Sequence, residues 1–218
     1  AITQAAWASG GNLGTARMYL AGCGETQNAS LAFGGAITPF PSTAKNETEE
    51  YDGSSWSEQN NLGTARKYLA GCGTQTAGLA FGGADPALTG ATEEYDGSSW
   101  TSGGALSTAR NNLKGCGTQT SGLAFGGSTS TLVSNNVTEE YDGSSWTAGG
   151  ALNTPVYQGG GAGTQTAGLA FGGNTPTKKQ TEEYNGTAWT TVPGTLSRGL
   201  AGMGAAGIQT AAISMLGR

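Results

Sequence analysis

Apolar and polar positions in this chain alternate in short runs rather than recurring at helical spacing. The clearest run, LAFGG, stands at 31–35, 79–83, 123–127 and 169–173. In an extended strand successive side chains point to opposite faces, so Leu123 and Phe125 share one face and Ala124 takes the other. A second run, TEEY, stands at 48–51, 92–95, 138–141 and 181–184, each followed by a tryptophan: Trp56, Trp100, Trp146 and Trp189. Trp7 is a fifth. A Gly-, Ala- and Cys-rich segment reading TARxxLxGCG precedes three of the four LAFGG runs. No window sustains a 3.6-residue period, so no helix is expected.

These runs define a unit of about 45 residues, TARxxLxGCGTQTxGLAFGG, a variable stretch, then TEEYDGSSW, a period that suits the four-stranded blade of a β-propeller. Strand a is expected around Arg110–Gly117, strand b at GLAFGG, strand c at VTEEY and strand d from the tryptophan. Asp52-Gly53, Asp96-Gly97, Asp142-Gly143 and Asn185-Gly186 join c to d, and these dipeptides predict tight type I′ hairpins with φ > 0 at both central residues.

Strand counting predicts five blades. Five tryptophans give five d strands; QTAAISMLG at 209–217 supplies a degenerate fifth b strand, and only Ala1–Gln4 can supply a fifth c strand. The expected architecture is all-β, a single five-bladed propeller with blades at approximately 16–60, 65–104, 109–150, 155–193 and 198–218 plus 1–10. N-terminal c/d strands would pair with C-terminal a/b strands, closing the ring and removing open sheet edges.

Composition narrows the chemistry. The chain has 218 residues, 40 of them glycine, and no histidine. Seventeen aromatic residues (5 Trp, 7 Tyr, 5 Phe) argue for a packed core rather than a disordered glycine-rich chain. Lacking histidine, it lacks the commonest general base and metal ligand, and no enzyme activity, cofactor or metal is expected. A net charge of -5 with 10 Lys+Arg argues against nucleic acid as a partner. No apolar run approaches membrane-spanning length, and AITQAAWASGG has neither the charged nor the apolar region of a signal peptide.

A hydrophobic strand ending in Gly-Gly, then a Tyr, then a Trp a few residues on resembles the kelch repeat, and LAFGG…TEEYDGSSW carries that pattern over nearly the whole chain. It departs in spacing, with four residues between Tyr51 and Trp56. The near-identical units also resemble kelch-like arrays in structural and tail-associated proteins of marine bacteriophages. That resemblance implies a virion-surface component (fibre, tail or decoration) contacting a host receptor, a host glycan or another virion protein. A secreted or cell-surface lectin-like module is the alternative.

Several repeated residues have two readings. Trp56, Trp100, Trp146, Tyr51, Tyr95 and Tyr141 suit either packing between blades or stacking on sugars, and their recurrence favours packing. Cys23, Cys72 and Cys116 share the GCG position, which Ala162 holds in the fourth unit, so small buried residues are expected rather than disulfides or metal ligands. Arg17, Arg66 and Arg110 recur at the d-to-a junction, with Val156 at the matching fourth position and Arg198 out of register. They form either a partial ring for an acidic ligand or ion pairs between blades with the repeated glutamates. Adjacent glutamates such as Glu93 and Glu94 point to opposite faces and cannot share one catalytic site.

The a–b and c–d connections hardly vary, whereas the b–c segments 36–47, 84–91, 128–137 and 174–180 differ in length and sequence. In a four-stranded meander, b–c and d–a loops emerge on one face. That face is therefore expected to contact the partner, through Arg17, Arg66, Arg110, Phe40, Pro41, Leu132, Val133, Lys178 and Lys179.

Overall fold

The computed structural model describes residues 9–39, 42–130, 133–173 and 178–215. The first repeat supplies β1 (Ala21–Thr26), β2 (Ala29–Phe33), β3 (Ala36–Ile37), β4 (Thr43–Ala44), β5 (Thr48–Tyr51) and β6 (Trp56–Gln59). The second supplies β7 (Ala70–Gly73), β8 (Gly78–Phe81), β9 (Thr92–Tyr95) and β10 (Trp100–Gly103). β11 (Lys114–Thr118), β12 (Ser121–Phe125), β13 (Thr138–Tyr141) and β14 (Trp146–Ala148) form the third. β15 (Gly160–Thr164), β16 (Ala167–Phe171), β17 (Thr181–Tyr184) and β18 (Trp189–Val192) form the fourth, and β19 (Gly204–Ile208) with β20 (Ala211–Met215) ends the chain.

Each of the first four repeats is a four-stranded antiparallel meander in the order a-b-c-d; β19–β20 is a two-stranded hairpin, and β3–β4 a small ribbon in the first b–c segment. The described residues are thus all-β, with no helix, in a propeller-like series of repeated sheets. Innermost strands neighbour one another in succession, β1 with β7, β7 with β11, β11 with β15 and β15 with β19. Residues of all five repeats line one cavity. The strands expected from Ala1–Gln4 and Trp7 to complete the fifth sheet lie outside the described residues.

Two local expectations need correction. Strand a of the third repeat begins at Lys114, so Arg110 lies in the junction before it. The Asp-Gly connection is not a two-residue hairpin: Tyr141 pairs with Trp146, leaving four residues between c and d. Only the glycine there has positive φ (98°, 90°, 91° and 87° at Gly53, Gly97, Gly143 and Gly186). The aspartate acts as an acceptor instead. Asp142 Oδ1 takes the Ser144 and Ser145 N–H groups, both at 2.8 Å, the side-chain-to-backbone closure that makes Asp and Asn turn formers. Asn185 Oδ1 does the same for Thr187 and Ala188. The two-residue turn is a–b, where Thr118 pairs with Ser121; the extra residue of the first repeat is absorbed by a bulge between Gly24 and Thr26.

The aromatic residues join repeats. The Trp146 ring lies 5.0 Å from Phe81 of the preceding repeat, and Trp100–Phe33 and Trp189–Phe125 repeat that distance. The Gly-Gly after strand b marks the same joint. Gly82 and Gly83 have φ of 66° and 105°, a left-handed conformation that side chains disfavour. Gly83 N–H donates to the Arg110 carbonyl of the next repeat at 2.9 Å.

Candidate binding face and axial cavity

The junction arginines are buried in ion pairs. Arg66 Nη1 lies 2.6 Å from Glu93 Oε1 and Arg17 Nη2 lies 2.7 Å from Glu49 Oε1; Arg110 pairs likewise with Glu139, and all three arginine side chains are fully buried. Each pair joins the junction to strand c of the same repeat, not of a neighbouring one as expected. The second carboxylate oxygen receives junction N–H groups, Gly14 on Glu49 and Gly63 on Glu93 at 2.6 Å and Ser107 on Glu139 at 2.7 Å. Burial by itself would raise the Glu139 pKa, but hydrogen bonds from Ser107 and Arg110 outweigh it and hold the carboxyl below its usual range. In the fourth repeat Val156 replaces the arginine, and Glu182 is satisfied by the Asn153 and Thr154 N–H groups.

The second glutamate of TEEY works across repeats. Tyr95 Oη donates to Glu50, Tyr141 Oη to Glu94 and Tyr184 Oη to Glu140, at 3.0, 2.5 and 2.5 Å. The two glutamates therefore serve opposite faces of strand c, as alternation requires. The cysteines are free and lie in separate repeats. Each thiol donates to a carbonyl of the next a–b turn: Cys23 to Thr74, Cys72 to Thr118 and Cys116 to Thr164. Burial pushes the Cys23 and Cys116 thiols up to about 12.

The face carrying the a–b and c–d turns is uniform and locked. Gln75, Gln119, Gln165 and Gln209 each donate Nε2 to the carbonyl of a tyrosine in the preceding repeat, at 2.6 to 2.8 Å. On the opposite face, variable b–c segments lie beside the junctions: Lys67 Nζ donates to Ser42, and Leu62 N–H to the Asn46 carbonyl. Val133 is exposed there. Lys178 Nζ donates to the Pro155 carbonyl and Lys179 Nζ to that of Ser197. Phe40, Pro41 and Leu132 lie outside the described residues.

An axial cavity of about 730 Å³ is the feature that strand assignment alone does not reveal. Tyr19, Tyr68, Asn112 and Gln158, at the same position in four repeats, all have left-handed backbones (φ 58°, 59°, 52° and 57°), and Gly202 takes the fifth place (φ 65°). Left-handed non-glycine residues cost on the order of 1–3 kcal/mol each and concentrate at functional sites. A circumferential chain of backbone bonds holds them: Tyr68 N–H to Tyr19 O, Asn112 to Tyr68, Gln158 to Asn112 and Gly202 to Gln158, at 2.8 to 2.9 Å. The Tyr19 and Tyr68 rings are 4.3 Å apart. Lys114 also lines the cavity, where the first two repeats have Ala21 and Ala70. A signal is present in the sequence: the second variable position of TARxxLxGCG reads Tyr19, Tyr68, Asn112 and Gln158, and the position two further on reads Ala21, Ala70, Lys114 and Gly160, beside an unvarying glycine.

No family model matches the chain, and no curated protein matches it in sequence.

Proposed function

We propose that this protein is a non-enzymatic binding module, a closed five-bladed kelch-like propeller that contacts its partner through the b–c and d–a face. One observation carries the reading: variation among otherwise near-identical repeats is concentrated on that face and at the axial mouth, while the opposite face is uniform and hydrogen-bonded shut. Scaffolds that bind place diversity in such loops. Ring closure is supported by what the fourth and fifth repeats leave over. Phe33, Phe81 and Phe125 each take a tryptophan from the next repeat; among the described residues Phe171 has no such tryptophan, and the fifth unit of the sequence offers Trp7 for that place. β20 has no described outer neighbour, and Ile208 and Ile213 of the β19–β20 hairpin are exposed. Residues 1–10 as c and d strands would cover that edge.

The likeness of the repeats to phage arrays supports a virion-surface setting, with a host glycan or another virion protein as partner; a secreted lectin-like module is the second extracellular form of the same reading. The test replaces the 36–47 and 128–137 segments with the shorter 84–91 segment. Glycan-array binding, or recovery in purified particles, that is lost in these variants supports the proposal. Binding or particle association unchanged by both replacements overturns it.

A further inference from the structure

We propose that the axial cavity is a binding site for a carboxylate-bearing sugar of the uronic acid class, with Lys114 as its anion contact. Lys114 is unique among the repeats at its position, which elsewhere holds Ala21, Ala70, Gly160 and Gly204. Its Nζ reaches past the fourth repeat to the carbonyl of Met203, at 3.3 Å. No carboxylate lines the cavity, and among the described residues none lies within ion-pair distance of this amine. That is unlike the junction arginines, each matched with a glutamate. A half-buried ammonium without a counter-charge is unfavourable, and desolvation in the cavity lowers the Lys114 pKa. A carboxylate entering the cavity relieves that cost.

The remaining lining selects a sugar over a bare anion. Tyr19 and Tyr68 present a pair of aromatic rings, surfaces suited to the apolar faces of a pyranose. Asn112 Nδ2 donates to Asn111 and its Oδ1 accepts from Gln158 Nε2 over a long 3.3 Å, whereas Gln158 Oε1 has no partner among the described residues, so the Gln158 amide can serve a ligand hydroxyl. About 730 Å³ lies within the roughly 300–1,000 Å³ range of small-ligand sites. The left-handed backbones of Tyr19, Tyr68, Asn112 and Gln158, tied to one another by main-chain hydrogen bonds, fix the points around the cavity from which these side chains start. The site borders the loop-borne partner surface, since Lys67, next to Tyr68, donates to Ser42 of the first b–c segment; its test alters Lys114 alone and leaves the loops intact, so it fails or stands apart from that reading.

The experiment is isothermal titration calorimetry at neutral pH with glucuronate, galacturonate and mannuronate, with glucose and acetate as separate arms. The wild-type protein is expected to bind at least one uronate at least tenfold more tightly than glucose or acetate. Lys114→Ala, which installs the side chain of Ala21 and Ala70, and Lys114→Gln are both expected to weaken that uronate at least tenfold while circular dichroism and Tm stay within a few degrees of wild type. Absence of uronate binding at millimolar concentration overturns the proposal. So does glucose or acetate binding as tightly as the uronates, or unchanged affinity in a folded Lys114 variant.

Discussion

The indole Nε1 of Trp146 donates to the hydroxyl of Thr92, 2.9 Å away and one repeat earlier in the chain. Trp100 makes the same bond to Thr48 and Trp189 to Thr138. The tryptophan thus anchors strand d of one repeat to strand c of the one before, with its ring against the preceding phenylalanine.

Trp146→Ala removes both that bond and a large buried ring, at a cost of about 3–5 kcal/mol. Trp146→Phe keeps much of the packing but leaves Thr92 without its donor and should cost about 1–3 kcal/mol. If the ring closes as proposed, Trp7→Ala destabilises to a similar extent as Trp146→Ala; a loss under about 0.5 kcal/mol in urea unfolding would count against closure.

The junction ion pairs predict a strong asymmetry between single and double substitutions. Arg66→Ala leaves Glu93 buried without its cation, a loss of about 3–5 kcal/mol. Exchanging both partners for apolar residues, Arg66→Met with Glu93→Leu, should recover most of it. Urea denaturation of the two single variants and the double variant measures the coupling.

Acid should unfold the protein through its carboxylates. Asp52, Asp96 and Asp142 are held down at about 2 by backbone N–H and serine hydrogen bonds, and Glu139 also lies below its usual range. A depressed folded-state pKa stabilises fully above the unfolded value and is lost as pH falls through the folded one. Tm should be level between pH 7 and 5 and fall between about pH 4 and 2, within the interval those shifts define. Asp96→Asn, the side chain the fourth repeat uses at Asn185, should keep the turn and shrink the fall.

The thiols should be inert in the native state. Cys116 is buried and its pKa is pushed up to about 12, while thiol reagents attack the thiolate. At pH 8 Cys72 and Cys116 should react with DTNB only at the rate of unfolding. Because the folded-state value is raised, this contribution to stability is complete below the ordinary thiol pKa and is lost as pH climbs towards the raised one. Rapid stoichiometric labelling of Cys72 and Cys116 in native protein would contradict the burial.

Gly161→Ala and Gly194→Ala separate tight joints from open surface. A Cβ on Gly161 would sit 2.6 Å from the Phe125 ring of the preceding repeat, whereas nothing lies within 4 Å of one on Gly194. The first should cost about 1–3 kcal/mol through overpacking and the second should stay within about 0.5 kcal/mol of wild type, as read from thermal melts.

Much of the architecture was legible from repetition alone. A period of about 45 residues, strand alternation at Leu123-Ala124-Phe125 and the recurring tryptophans led to four-stranded sheets in the order a-b-c-d. These are local and periodic signals, set by backbone geometry and side-chain alternation, so one repeat predicts the next. The Asp-Gly dipeptide does not specify the turn, because the Asp142 carboxylate accepts from Ser144 and Ser145 and closes a longer four-residue loop. Partner choice needed three dimensions. Whether Arg66 meets a ligand, a neighbouring repeat or its own Glu93 depends on how the junction lies over strand c, and the spacing of Arg66 and Glu93 does not specify it. Likewise Lys114 and Met203, 89 positions apart, meet only because the innermost strands of successive repeats lie side by side and line one cavity. Alternation and repetition along the chain are enough to set the repeating sheet and the faces of its strands. Packing of the repeats against one another settles which charges are matched within the protein, and which one is left facing the cavity.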